Sequence, residues 1–209
     1  MKRGTKDALI LTLITLVSGF CLGAAHEVTK QPIAAAQEKA TQEAYREVLP
    51  KAKSFEEVSG FSSSKATALV KKKGYDKDTV DEVMEAKDSS GKSIGYVITL
   101  TSSAGYGGNI TFSMGIDKKG NMTKYSITSI SETAGLGMKS TEDDKNSDKD
   151  FCDQFKGLKN GTYSVVKHGA DKGENDIEAI SGATITSRAI TTAVDAGFTY
   201  YNSELKGGN

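Results

Sequence analysis

The stretch Ile110-Thr111-Phe112-Ser113-Met114-Gly115-Ile116-Asp117-Lys118-Lys119-Gly120-Asn121-Met122-Thr123-Lys124-Tyr125-Ser126-Ile127-Thr128-Ser129-Ile130 decides the fold. Ile110, Phe112, Met114 and Ile116 occupy every second position, the repeat of a strand with one buried face. Asp117 to Asn121 is a polar, Gly-bearing turn, and the return segment Met122 to Ile130 carries Tyr125, Ile127 and Ile130. The pair reads as a β-hairpin. Upstream, Ser93 to Leu100 places Ile94, Tyr96, Ile98 and Leu100 on one face, and Val80 to Ala86 alternates in part. These segments predict an antiparallel meander. Downstream, Asp148 to Phe155 reads as a short helix and Tyr163 to Val166 as a strand. Ala189, Ile190, Ala193, Val194, Gly197 and Tyr201 then form a helical stripe running to about Glu204. Lys51 to Lys77 is mixed and polar, and Lys71-Lys72-Lys73-Gly74 reads as a solvated charge run and a turn. The expected class is α+β: a twisted antiparallel sheet with packed helices, preceded by one N-terminal transmembrane helix.

Ala8 to Ala25 is apolar over about eighteen residues, near the lower limit for a membrane span. Lys2, Arg3 and Lys6 precede it, which predicts a cytoplasmic N-terminus and an extracytoplasmic remainder. Gly23-Ala24-Ala25 also suits cleavage of a secretory signal, and Cys21 a lipoprotein site, although Phe20 is bulky for the position before a lipidated cysteine. Length favours a retained anchor. Gln31 to Val48 reads as a second helix, with Pro32 tolerated at its start and Pro50 beyond its end. The expected organisation is residues 1–26 as cytoplasmic tip and anchor, 27–50 as a linker helix and 51–209 as an ectodomain.

The 209 residues contain 27 basic and 27 acidic side chains. Three of the basic and one of the acidic residues lie in the first 25, so the ectodomain is slightly acidic and carries no basic footprint for nucleic acid. Cys21 and Cys152 have no metal-ligand spacing and sit in contexts too different to expect a disulfide. No metal site is expected. His26 and His168 stand apart in the sequence and read as solvated side chains, so no acid–base pair for substrate conversion is in view.

The chemistry-bearing segment is Ile180-Ser181-Gly182-Ala183-Thr184-Ile185-Thr186-Ser187, immediately before the C-terminal helical stripe. A helix N-terminus presents unpaired N–H groups and the positive end of its dipole, so it accepts a phosphate without a lysine cluster. Gly182 and Ala183 permit close backbone approach, Ser181 reads as the N-cap, and Thr184, Thr186 and Ser187 supply hydroxyls. Arg188 adds a charge of unassigned direction. The plainer reading is simple helix capping. Two further segments favour a ligand: Ser131-Glu132-Thr133-Ala134-Gly135-Leu136-Gly137-Met138 follows a strand, and Gly105-Tyr106-Gly107-Gly108 precedes one. Together they offer backbone N–H groups and the apolar surfaces of Tyr106, Leu136 and Met138, suited to a planar ring.

Ser-Gly-Ala-Thr, Glu-Thr-Ala-Gly-Leu-Gly and Gly-Tyr-Gly-Gly together resemble the FMN-binding domain of two related membrane complexes. One is the Rnf-type ion-translocating ferredoxin:NAD+ oxidoreductase, in its G subunit; the other is the sodium-translocating NADH:quinone reductase, in its C subunit. The resemblance runs from the anchor and Glu27-Val28-Thr29-Lys30-Gln31-Pro32-Ile33, through Gln154-Phe155-Lys156-Gly157, to the last helix. The compact length favours the first of the two. The resemblance implies FMN joined through its phosphate to Thr184 by a phosphoester, made by a separate flavin transferase from FAD. It implies Ser181, Gly182, Ala183, Thr186, Glu132, Thr133, Gly135, Leu136, Gly137 and Tyr106 as the remaining cofactor-binding residues. It also implies polytopic flavin-bearing and iron–sulfur-bearing subunits as partners. Two positions depart from the family pattern: Glu178 stands where Asp is usual, three residues before Ser181, and Ala134 stands where Pro is usual, which removes a fixed φ and loosens the loop.

The expected function is therefore a membrane-anchored electron-transfer subunit, part of a redox-driven translocase for Na+ or H+ and not catalytic alone. Two other readings stay open. A stand-alone extracellular flavoprotein reductase needs proton donors beside the flavin, and a scaffold would use Ser-Gly-Ala-Thr only as a cap.

Overall fold

A computed structural model describes residues 3–141 and 149–207. The chain divides between Ala40 and Thr41 into two compact units.

The first unit is carried by α1 (Arg3–Val48). The helix contains an eighteen-residue window of mean hydropathy 2.2, none of it buried, and is long and apolar enough to cross a membrane. The hydroxyls of Thr12 and Thr29 donate to the carbonyls of Ala8 and Ala25 one turn back, at 2.9 and 2.8 Å. Each polar group is thereby satisfied within the helix, as a lipid surrounding requires. Pro32 lies inside α1, whereas the sequence predicts a helix start there. Proline forfeits one backbone bond to the carbonyl four residues earlier. That residue, Val28, is 77% exposed, and the helix continues past the proline to Val48.

The second unit is built on a five-stranded antiparallel sheet in the order β1 (Ser54–Glu57), β2 (Asp78–Lys87), β3 (Ser93–Ser102), β4 (Ile110–Asp117) and β5 (Met122–Ser129). In β4, Ile110, Phe112, Met114 and Ile116 are all buried on one face, as the alternation requires. β2 alternates only in part because its register with β3 slips between Val80 and Glu82. Val80 and Val83 therefore share the main core face despite their odd spacing. A second slip, beside Gly95, moves Ile94 to the opposite face, where it packs with Tyr45, Val48, Ala86 and Val97. The sequence alternation groups Ile94 with Tyr96, Ile98 and Leu100; one extra residue in the ladder inverts that assignment.

Lys71 to Gly74 is exposed and ends in a turn, as expected, but the wider Lys51 to Lys77 segment carries regular structure. It forms β1 and α2 (Ser63–Lys72), with Ala66 and Val70 buried against β2. Lys71 and Lys72 close the last turn of α2, where cations favour the dipole, and Gly74 follows. Downstream come a 3₁₀ turn (Gly137–Ser140), α3 (Lys149–Asp153), the parallel pair β6 (Ser164–Val166) and β7 (Asp176–Glu178), and α4 (Thr184–Tyr200), which continues as a π turn through Leu205. The helix expected from Asp148 is present from Lys149, and Asp148 lies outside the described residues. α4 lies across β2, β3 and β4, burying Ala189, Ile190, Ala193, Val194 and Phe198. This packing fixes its N-terminus beside the turn between β3 and β4 and the loop after β5.

Candidate functional site

Three loops meet at a cavity of about 520 Å³. Tyr106 comes from the β3–β4 turn. Glu132, Thr133, Leu136 and Gly137 come from the loop after β5. Gly182 to Thr186 form the start of α4. The volume lies in the ordinary range for a cofactor pocket.

The β3–β4 turn and the loop after β5 are locked together by Glu132. Its side chain is buried, and Oε1 accepts hydrogen bonds from the backbone N–H groups of Tyr106 (2.7 Å) and Gly107 (3.2 Å). The glycines around it leave room for that contact. A Cβ on Gly137 would lie 2.7 Å from Glu132 Cβ and from Thr186 Oγ1, and a Cβ on Gly107 would collide with the Ser131 carbonyl. The loop also holds itself: the Thr133 carbonyl accepts from Leu136 N–H (3.1 Å) and Met138 N–H (3.2 Å). Ala134 therefore sits in a loop closed by backbone bonds, without the proline constraint.

The start of α4 differs from the expected cap. Ala183 occupies the N-cap position, no side chain caps the helix, and Ser181 lies exposed in the preceding turn. Ser187 performs the tethering instead. Its hydroxyl accepts from Ile180 N–H and donates to the Ala183 carbonyl, both at 3.0 Å. Gly182 makes the turn with φ +77°, a conformation costly for other residues. The first-turn N–H groups of Thr184, Ile185 and Thr186 have no intrahelical acceptor. No hydrogen bond engages the Thr184 hydroxyl among the described residues, and that side chain is half-buried at the cavity wall. Thr186 is buried with its hydroxyl towards Gly137.

The sequence-derived residues Tyr106, Glu132, Thr133, Leu136, Gly137, Gly182, Ala183, Thr184 and Thr186 all line this cavity. Ser181, Gly135 and Met138 do not. Arg188 lines a neighbouring cavity, and Glu178 braces a different turn, accepting from Gly169 N–H (2.7 Å) and pairing with His168 Nδ1 (2.9 Å). His168 is thus not isolated. Ile185, given no role in the sequence reading, lines the cavity with 53% of its surface exposed. An isoleucine among hydroxyls in a first helical turn is the signal that could have found it. Beyond α1, the exposed large apolar side chains among the described residues are Tyr106, Leu136 and Ile185, and all three rim this cavity. Among the described residues, none of its lining side chains is basic.

Residues 105–199 match the FMN-binding domain family, an interval that contains every residue of the cavity wall. The G subunit of the Na+-translocating ferredoxin:NAD+ oxidoreductase complex from Acetobacterium woodii is 32% identical over 204 residues, covering 96% of this chain and 93% of its own. The chain belongs to the same G-subunit family. Its counterpart in the proton-translocating ferredoxin:NAD+ oxidoreductase complex of Clostridium ljungdahlii is 31% identical over 88% of this chain and 84% of its own. Among solved structures, NqrC of Shewanella oneidensis aligns with a TM-score of 0.47 at 22% identity, over 59% of this chain and 60% of that one. As befits a component of a membrane complex, α1 supplies this family member's membrane anchor.

Proposed function

We propose that this chain is the electron-transferring G subunit of an Rnf-type complex, carrying FMN as a phosphoester on Thr184. The observation that carries the reading is the convergence, in one cavity, of an unengaged threonine hydroxyl, three open N–H groups at a helix N-terminus and three exposed apolar side chains. The flavin, when bound, supplies the electron-carrying chemistry. The N–H groups of Thr184, Ile185 and Thr186 stabilise the single negative charge of the resulting phosphodiester. Tyr106, Leu136 and Ile185 present apolar surface to a ring. Glu132 holds the two loops that shape the cavity.

That no described residue of the wall is basic supports a covalent link. Three N–H groups alone retain a dianion weakly in water, whereas an ester bond removes dissociation as a route of loss. In its formation the Thr184 oxygen displaces AMP from FAD under a flavin transferase, leaving FMN attached. Lys2, Arg3 and Lys6 ahead of the apolar run support a cytoplasmic N-terminus and an extracytoplasmic remainder. Ion movement, of Na+ or H+, belongs to polytopic partner subunits, because the apolar run of α1 holds no charged residue to form an ion path. The test is a denaturing gel of the chain purified from its native membranes and viewed under ultraviolet light. A fluorescent band supports the covalent flavin, and a dark band in an electron-transferring complex refutes it.

A further inference from the structure

A second cavity, about 440 Å³, adjoins the first: Ile185 lines both, and Ala104, next to Gly105, belongs to the second. Its wall carries Asp78, the first residue of β2. Asp78 is 1% exposed, and among the described residues no hydrogen bond of ordinary geometry reaches either of its carboxylate oxygens. A buried carboxylate without partners is costly, and that cost is relieved when the group binds a proton. A second buried carboxyl belongs to α4, the helix that packs on β2. Asp195 of α4 is 4% exposed, and its two oxygens share the N–H of Tyr163, each at 3.1 Å. It follows Arg188 by two helical turns on the face that brings Arg188 and Thr192 to the second cavity.

We propose that Asp78 and Asp195 form a proton-binding pair whose occupancy follows the charge held in the neighbouring cavity. The proposal rests on FMN occupying that neighbouring cavity. When one electron arrives there from a low-potential one-electron donor, the pair binds one proton from solvent. When the electron leaves to an acceptor, the proton returns, so charge balances at each step.

Several groups face the pair from the surrounding elements. Tyr75, Asp76 and Lys77 come from the turn before β2, Ser102 lies across the ladder on β3, and Arg188 is on α4. Tyr163, which also feels Glu174, stands at the start of β6. Burial pushes both carboxyls up. For Asp78 the Ser102 hydroxyl pulls weakly the other way, and Asp195 reaches about 7 by burial, with the Asp78 charge adding to it despite the Tyr163 N–H. Lys77 and Arg188 line the cavity yet form no ion pair with Asp78 among the described residues.

The test is a carboxyl ¹³C NMR titration of the full chain in detergent micelles, between about pH 4 and 9. The first arm uses the flavin-free Thr184→Ala chain. One of the two carboxyls is expected to titrate near neutrality, and Asp78→Asn to lower the Asp195 midpoint by about one unit or more. Both groups titrating with the ordinary surface carboxyls overturns the pair. The wild-type side chains at positions 78 and 195 suffice for that readout, so a misfolded variant does not decide it. The second arm compares oxidised flavin-bearing chain with the same chain titrated by dithionite to one electron per flavin. The neutral-range midpoint is expected to rise by about half a unit or more on reduction, and an unmoved midpoint overturns the redox link. A native chain without a fluorescent flavin band removes the FMN reading and the link together, while the first arm still decides the pair.

Discussion

Replacing Glu132 by alanine removes the clamp between the two loops. The carboxylate of this residue, which is 9% exposed, accepts hydrogen bonds from the backbone N–H groups of Tyr106 and Gly107, at 2.7 and 3.2 Å. Hydrogen bonds to a charged group contribute about 1.5–3 kcal/mol each. Tyr106 and Gly107 are exposed residues, so their freed N–H groups regain water and the lower end applies. The expected loss is about 3 kcal/mol, which lowers Tm by roughly 6–12 °C for a chain of this length. Thermal unfolding of the detergent-solubilised chain, followed by circular dichroism, measures the total. Hydrogen exchange resolves the location: the Tyr106 and Gly107 amides exchange about tenfold faster or more, while amides of β3 and β4 remain protected. Glu132→Gln keeps an acceptor oxygen and retains about half of the stabilisation, since neutral bonds are roughly half as strong. A Glu132→Ala chain with wild-type Tm and unchanged exchange at these two amides refutes the clamp.

Gly137→Ala forces a methyl group to within 2.7 Å of Glu132 Cβ and Thr186 Oγ1. It is expected to cost about 1–3 kcal/mol in urea unfolding and to reduce flavin loading on fluorescence gels. Asp195 has a folded-state pKa raised to about 7 from an ordinary 3.8, so its contribution is full below about pH 4 and is lost as pH rises through 7. Asp195→Asn keeps an acceptor for Tyr163. The stability of wild type minus that of the variant is expected to fall by an amount of order 4 kcal/mol between about pH 4 and 7, then level off; a flat difference contradicts it. Thr184→Ala removes the ester oxygen from one half-buried position at a helix start. It is expected to abolish covalent flavin while leaving the circular dichroism spectrum unchanged and the stability within about 1 kcal/mol of wild type.

The sheet was legible in β4, whose ladder with β3 is unbroken. β4 has four buried apolar side chains at a strict period of two, and its burial follows the sequence residue by residue. β2 and Ile94 were not, because slips in the β2–β3 register change which face a residue meets, and a bulge leaves no compositional mark in a polar strand. α2 was hidden by its short length and lysine-rich end, although Ala66 and Val70 at helical spacing were present. The cavity was legible as three separate segments, since Gly, Thr and Ser cluster there. Three matters needed the packed chain: Ser187 rather than Ser181 tethers the helix start, Glu132 binds a loop twenty-five residues upstream, and Ile185 completes the apolar rim.

The central claim concerns the Thr184 hydroxyl, which no group within the described residues engages. The most direct measurement is peptide mass spectrometry of the chain isolated from native membranes that transfer electrons. The account predicts a peptide spanning Thr184 heavier by FMN less one water, with fragment ions assigning the addition to that residue. An unmodified Thr184 peptide in such a sample contradicts it.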